Sequence, residues 1–98
     1  MNSFERIFYW LFVGSKGGRN RARILLRLMK EPLNSNKLSE ALRLDYKTIQ
    51  HHLDLLEENG VIEWSGKKYG KVYFPSMEFE SNKKTLLPLV KKVIEDEQ

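Results

Sequence analysis

The chain has 98 residues, with 17 Lys and Arg against 13 Asp and Glu, two His, no Cys, and charged and hydrophobic shares of 31% and 41%. This is the composition of one small globular domain, too short for two cores and too apolar for a disordered chain. Without Cys it has neither a disulfide nor a thiolate metal site to reinforce a core that is marginal at this length, so self-association is the expected supplement and a reducing cytoplasm the compatible compartment.

The net charge of +4 is unevenly spread. Residues 14–30 carry Lys16, Arg19, Arg21, Arg23, Arg27 and Lys30 and no acid. Residues 31–64 are acid-rich, and 65–75 are basic again through Lys67, Lys68 and Lys71. Two basic zones around an acidic middle point to a polyanion held at separate places on one surface.

Residues 4–13 (Phe-Glu-Arg-Ile-Phe-Tyr-Trp-Leu-Phe-Val) are the most apolar stretch. They are too few to cross a bilayer, which needs about 20 residues. Glu5 cancels Arg6 and no A-x-A-like site follows, so they do not read as a signal peptide. The stretch reads as a short helix, apolar on nearly all sides, covered in part by a second subunit through Phe4, Ile7, Phe8, Trp10 and Leu11. A peripheral lipid anchor through Tyr9 and Trp10 is the alternative, and no membrane partner is expected. Gly14, Gly17 and Gly18 then read as a flexible joint. The order of a phosphate-binding loop is absent there, which argues against a nucleotide.

From Arg19 to Lys30 an amphipathic helix places Ile24, Leu25, Leu28 and Met29 on one face and Arg23, Arg27 and Lys30 on the other, until Pro32 stops it. Leu33 reads as a short strand. Asn34 or Ser35 supplies a cap for a second helix, about 36–43, burying Leu38, Ala41 and Leu42. A third helix, about 46–59, has signals at both ends: Asp45 as N-cap, a staple between Leu44 and Ile49, and Asn59-Gly60 as the stop. Two amphipathic helices joined by three or four residues over one small core must cross steeply, which is the helix-turn-helix geometry.

A hairpin follows: Val61 to Ser65, a turn through Gly66 to Gly70, and Lys71 to Phe74, ended by Pro75. A last helix, about 83–96, sets Leu86, Leu89, Val90 and Val93 in one stripe, a second candidate dimer face. Pro88 implies either a kink or a helix that starts at Thr85.

On the third helix Ile49, Leu53 and Leu56 form the buried stripe, with His52 at its border as a packing residue. Lys47, Gln50 and His51 lie on the exposed side and are residue types that read base edges, Lys at guanine and Gln at adenine. Tyr46 and Thr48 reach phosphate, and Arg19, Arg21, Lys67, Lys68, Tyr69 and Lys71 extend that phosphate set to the preceding helix and the hairpin. Adjacent His51 and His52 point about 100° apart and have no third ligand, so no metal site is expected. No paired carboxylates or nucleophile-base set point to an enzyme.

The stretches Arg23 to Met29, Leu33 to Leu42 and above all Leu44-Asp-Tyr-Lys-Thr-Ile-Gln-His-His-Leu-Asp-Leu-Leu-Glu-Glu-Asn-Gly-Val-Ile62, with the Gly66 to Tyr73 hairpin, resemble the winged helix-turn-helix transcription regulators of the ArsR-like branch. The likeness spans about residues 19–75. It implies a mainly α fold with a small β-hairpin wing (α+β): a winged helix-turn-helix over 19–76, an apolar helix and Gly-rich joint over 1–18, and a C-terminal dimerisation helix over 77–98. It also implies a homodimer on double-stranded DNA, helix 46–58 in the major groove and wing 65–72 on backbone or minor groove. Metal-sensing relatives use Cys near the recognition helix, or His and carboxylates on the terminal helix. Neither set is present, so no cofactor or metal is carried over. The competing readings are a winged-helix protein-interaction module, on the acidic Asp54, Glu57 and Glu58, and a non-specific architectural DNA binder.

Overall fold

In the computed structural model, which describes residues 2–96, a capping box opens the first helix, α1 (Ser3–Tyr9). The Asn2 side chain accepts from the Glu5 backbone N–H at 2.8 Å, and the Glu5 carboxylate accepts from the Asn2 N–H at 3.0 Å. The outer ends of the two flanking segments, residues 1, 97 and 98, lie outside the described residues. The helix widens into a π-helical turn, Trp10–Gly14, which brings Leu11 and Phe12 onto the same inner face as Phe8. The Phe8 ring lies 4.3 Å from that of Phe12 and 5.8 Å from that of Phe79, so this segment packs on its own chain. Ile7, Tyr9, Trp10 and Val13 stay exposed on its outer side.

The glycine cluster is a tight corner and not the flexible joint expected from sequence. Gly17 turns the chain with φ at +92°, and a Cβ on Gly18 would stand 2.3 Å from the Phe12 carbonyl oxygen, so the backbones pass too closely for any side chain. Helix α2 (Gly18–Lys30) starts at this corner and is the central element, touching the π-helical turn, both helices of the helix-turn-helix, the second strand of the hairpin and the last helix. It is followed by α3 (Ser35–Leu42), capped by Asn34 as expected. Leu38 is buried and Leu42 half-buried, whereas Ala41 is exposed and the buried residue at the other end is Ser35.

A three-residue turn, with Arg43 left-handed at φ 56°, leads to α4 (Tyr46–Glu58). Both ends of α4 are built as expected. Asp45 accepts from the Thr48 N–H at 2.7 Å, and the bonds Gly60 N to Glu57 O (3.1 Å) and Val61 N to Leu56 O (2.9 Å) close the helix in a Schellman pair. Strands β1 (Ile62–Ser65) and β2 (Val72–Pro75) pair antiparallel, Trp64 opposite Tyr73 and Ser65 opposite Val72. Leu33 adds a bridge to Tyr73, so the hairpin is stitched to the segment that leads into α3.

Helix α5 (Met77–Asp96) begins six residues earlier than the leucine periodicity indicated and runs through Pro88. Its true cap is Ser76, whose Oγ accepts from the Phe79 N–H at 3.0 Å while donating to the Gly60 carbonyl at 2.7 Å. Thr85 is therefore interior and not a cap. One cluster of buried side chains runs from Phe8 to Val90, so the flanking helices share the core of the central segment. No helix among the described residues is long and apolar enough to cross a membrane.

Arg21 corrects the charge-based reading most sharply. It is 2% exposed, its guanidinium enclosed by the protein's own acceptors. Its guanidinium donates from Nε to the Leu11 carbonyl (2.7 Å) and from one terminal nitrogen to Ser15 Oγ (2.6 Å) and the Lys16 carbonyl (2.9 Å). The other terminal nitrogen meets His52 Nδ1 at 3.1 Å. Arginine has no acceptor, so His52 must receive that bond at Nδ1 and carry its proton on Nε2, neutral. Burial, then the Arg21 charge, then His51 push the His52 pKa down to about 4.

The unfolded His52 binds a proton near pH 6.5 and the folded one near pH 4, so stability is complete above that window and falls as pH is lowered through it. The loss should reach about 3 kcal/mol at most. Urea unfolding from pH 7 to pH 4 checks this, with His52→Asn showing a flatter profile. Equal slopes for both proteins would mean that His52 is not held neutral.

Candidate nucleic-acid interface

Three elements converge on one open groove of about 340 Å³. Asn34, Ser35 and Asn36 come from the start of α3, Tyr46 and Gln50 from the first turns of α4, and Lys68, Tyr69, Lys71 and Tyr73 from the hairpin. Local chemistry explains the placement. The short turn between α3 and α4 is held by the Ser39 hydroxyl, which donates to the Leu44 carbonyl, and Arg23 from α2 braces its start by donating to the Leu42 carbonyl at 2.7 Å. The hairpin is held against α3 by the Leu33–Tyr73 bridge.

On α4 the expected polarity holds. Ile49, Leu53 and Leu56 are fully buried and His52 nearly so, whereas Tyr46, Lys47, His51 and Asp54 are exposed. Gln50 is half-buried and engaged at both ends of its amide. Its Oε1 accepts from Ser35 Oγ and its Nε2 donates to Asp54 Oδ1, each at 2.9 Å. Lys47 and His51 do not line the groove but stand exposed on the same helix. Thr48 is half-buried and hydrogen-bonds Asp45, which holds the Asp45 carboxyl below its usual pKa.

The hairpin tip carries Lys67 and Lys68 in solvent, with Tyr69 97% exposed. The Lys68 ammonium is 5.8 Å from the Tyr69 ring centroid. Lys71 stands 4.4 Å over the Trp64 ring, and the Trp64 indole N–H donates to Glu57 at 2.9 Å, so the base of the hairpin is fastened to the end of α4. Arg19 is half-buried in a different cleft, with Phe12, Val93 and Asp96, and does not line the groove that Lys68 and Lys71 line. Among the nine dimer candidates, Phe8, Leu11, Leu86 and Val90 belong to the chain's own core and are withdrawn from that list. Ile7 and Trp10 are exposed, and Phe4, Leu89 and Val93 are half-buried at the core's edge.

Sequence reading missed Asn34, Ser35 and Asn36. Their signal was present, since a helix that opens a helix-turn-helix turns its N-terminal polar residues toward the same side as the following helix. Among its described lining residues the groove holds cations, amides, hydroxyls and rings but no carboxylate. That set suits the phosphates and base edges of a nucleic acid. Glu57, Glu63 and Glu78 lie instead around a separate groove beside Trp64. No group of three or more His, Asp or Glu among the described residues could hold a metal ion.

Residues 19–63 match the family model described as bacterial regulatory protein, arsR family. Solved structures share the fold. A probable transcriptional regulator from Pseudomonas aeruginosa aligns at TM-score 0.67 with 18% identity, over 91% of this chain and 71% of that one. HlyU from Vibrio cholerae aligns at 0.66 with 23% identity, over 91% and 97%. An ArsR-like transcriptional regulator from a Rhodococcus species aligns at 0.65 with 18% identity, over 94% and 85%. No curated protein sequence matches the chain.

The hairpin tip has its own check. Gly66 has φ at +99° and a Cβ there would meet the Gly70 carbonyl oxygen at 2.6 Å, whereas a Cβ on Gly70 meets nothing. Gly66→Ala should therefore cost about 1 to 3 kcal/mol of local strain and speed exchange of the Gly70 amide, which bonds Lys67 O. Gly70→Ala should leave the turn unchanged. Equal exchange rates in both variants would contradict this geometry.

Proposed function

We propose that the chain is an ArsR-like winged helix-turn-helix transcriptional regulator that recognises specific double-stranded DNA as a homodimer and represses transcription by occluding its site, a reading supported by the arsR family match over residues 19–63 and the fold shared with solved regulators. The observation that carries this reading is the groove where Tyr46 and Gln50 of α4 meet the basic hairpin. Helix α4 enters the major groove, presenting Lys47, Gln50 and His51 to base edges, each good contact giving about 1 to 3 kcal/mol of discrimination. The wing lies along the backbone or an adjacent minor groove, where Lys67, Lys68 and Lys71 neutralise phosphate and Tyr69 and Tyr46 pack on the sugar-phosphate chain.

The dimer is supported by the exposed outer side of the N-terminal segment, where Ile7 is 40% and Trp10 52% exposed. Phe4, Leu89 and Val93 are further candidates, half-buried and packed against the core. A two-fold axis there sets two α4 helices about 34 Å apart, so the site is an inverted repeat with half-sites one helical turn apart. Repression needs no further surface, since a dimer bound across a promoter blocks it. The cytoplasm is where such a protein meets DNA in a prokaryotic cell. The acidic groove beside Trp64 and the exposed Met77 support a second reading, a protein-docking module.

Gln50→Ala should reduce affinity for the preferred duplex about tenfold and leave random duplex unaffected. Lys68→Ala should weaken both alike and flatten the salt dependence by about one counterion. Fluorescence anisotropy across a salt series measures both. Identical behaviour of the two variants would overturn the division of roles, and salt-insensitive failure to bind any duplex would favour the docking module. Sedimentation of the intact chain as a monomer at micromolar concentration would remove the dimer.

A further inference from the structure

A glutamine amide at a protein surface is free to rotate, and its two ends look alike to a groove that offers both donors and acceptors. A free amide can present its N–H to guanine N7 or O6 as well as its donor-acceptor pair to adenine. Gln50 is not free in this way. Asp54, one turn further along α4, has only acceptors, so the 2.9 Å contact with its Oδ1 identifies the NH2 end of Gln50. The Ser35 hydroxyl from α3, 91% buried, then donates to the carbonyl end at 2.9 Å. Two residues from two helices therefore set the sense of the amide.

The count of remaining groups is informative. The NH2 has two hydrogens and gives one to Asp54. The carbonyl has two lone pairs and uses one for Ser35. One donor and one acceptor are left, the pair that adenine N7 and N6 require. The rotamer entropy of the side chain has been lost in folding and is not charged to binding. Asp54 would otherwise be out of place on a helix that approaches phosphate, since its charge repels the ligand. As the group that fixes Gln50 it has a reason to be there.

We infer that Ser35 and Asp54 are positioning residues that lock the Gln50 amide in the sense that reads adenine and rejects guanine. The inference rests on the regulator reading above. Its prediction concerns a ratio at one base pair and not affinity, which separates it from any general effect of removing a charge or loosening the fold.

The test uses the intact chain and duplexes that carry A·T or G·C at each position of the wild type's preferred site. The wild type should favour adenine over guanine at one position per half-site by about 5- to 150-fold, the equivalent of about 1 to 3 kcal/mol. Gln50→Ala should abolish that preference. Ser35→Ala and Asp54→Ala should each bring it to within about threefold, while preferences at the other positions persist and show that the variants are folded. Asp54→Asn, which keeps an acceptor but not the charge, should restore it. If both alanine variants keep the full adenine preference that Gln50→Ala loses, the lock is wrong and the regulator reading stands. A wild type with no base preference at any position would overturn both.

Discussion

A single buried cation organises this molecule. The Arg21 guanidinium is enclosed by acceptors from three places: the π-helical turn through Leu11, the glycine corner through Ser15 and Lys16, and α4 through His52. A charge this deep is tolerated only when its donors are satisfied, and a buried donor left without its acceptor costs about 1 to 3 kcal/mol, more when the group is charged. Its four acceptors are neutral, so the group contributes by directing geometry more than by Coulomb attraction. The glycine corner is shaped around it: a Cβ at Gly17 would stand 2.9 Å from both an Arg21 terminal nitrogen and His52 Cε1. The N-terminal segment and α4 are thus tied to the same atom group on α2. The exposed outer side of the N-terminal segment and the groove at the start of α4 are consequently parts of one framework.

That framework explains how so small a chain presents a defined groove. Helix α4 is fixed at its start by Asp45, at its end by the Gly60–Val61 pair, along its inner face by Ile49, Leu53 and Leu56, and on one flank by Arg21. The hairpin cannot swing freely, because Leu33 bridges it on one side and Trp64 fastens it to Glu57 on the other. The charges are sorted as well as the backbone. Lysines and amides line the α3–α4–hairpin groove, while Glu57, Glu63 and Glu78 gather around Trp64. On the proposed reading, the lysine-lined groove attracts a polyanion and the carboxylates around Trp64 repel it, which orients it on the surface.

Much of this was legible in the sequence, and the reasons are local. Helix α4 could be placed almost to the residue because its cap, staple and stop are written in contiguous residues, and the three-residue turn before it constrains its crossing. The hairpin was legible from its β-branched and aromatic strands between glycines. What could not be read depended on contacts far apart in the chain. Arg21 sits in a run of basic residues and looks like its neighbours, and only the acceptors on Leu11, Ser15, Lys16 and His52 distinguish it. The start of α5 was missed because Met77 to Asn82 show one buried residue, Phe79, and the capping role of Ser76 is secured by the carbonyl of Gly60. Ala41 was assigned to the core on periodicity, but a helix as short as α3 buries a narrow face, and Leu38 and Ser35 fill it. Asp54 looked like part of an acidic patch until its bond to Gln50 was visible.

The most direct test of the account is enrichment of duplexes from a randomised pool by the intact chain at near-physiological salt. Recognition by two α4 helices related by a two-fold axis predicts a consensus that is an inverted repeat, its half-sites centred one helical turn apart. Binding without enrichment of any sequence, or no binding at all, would contradict it.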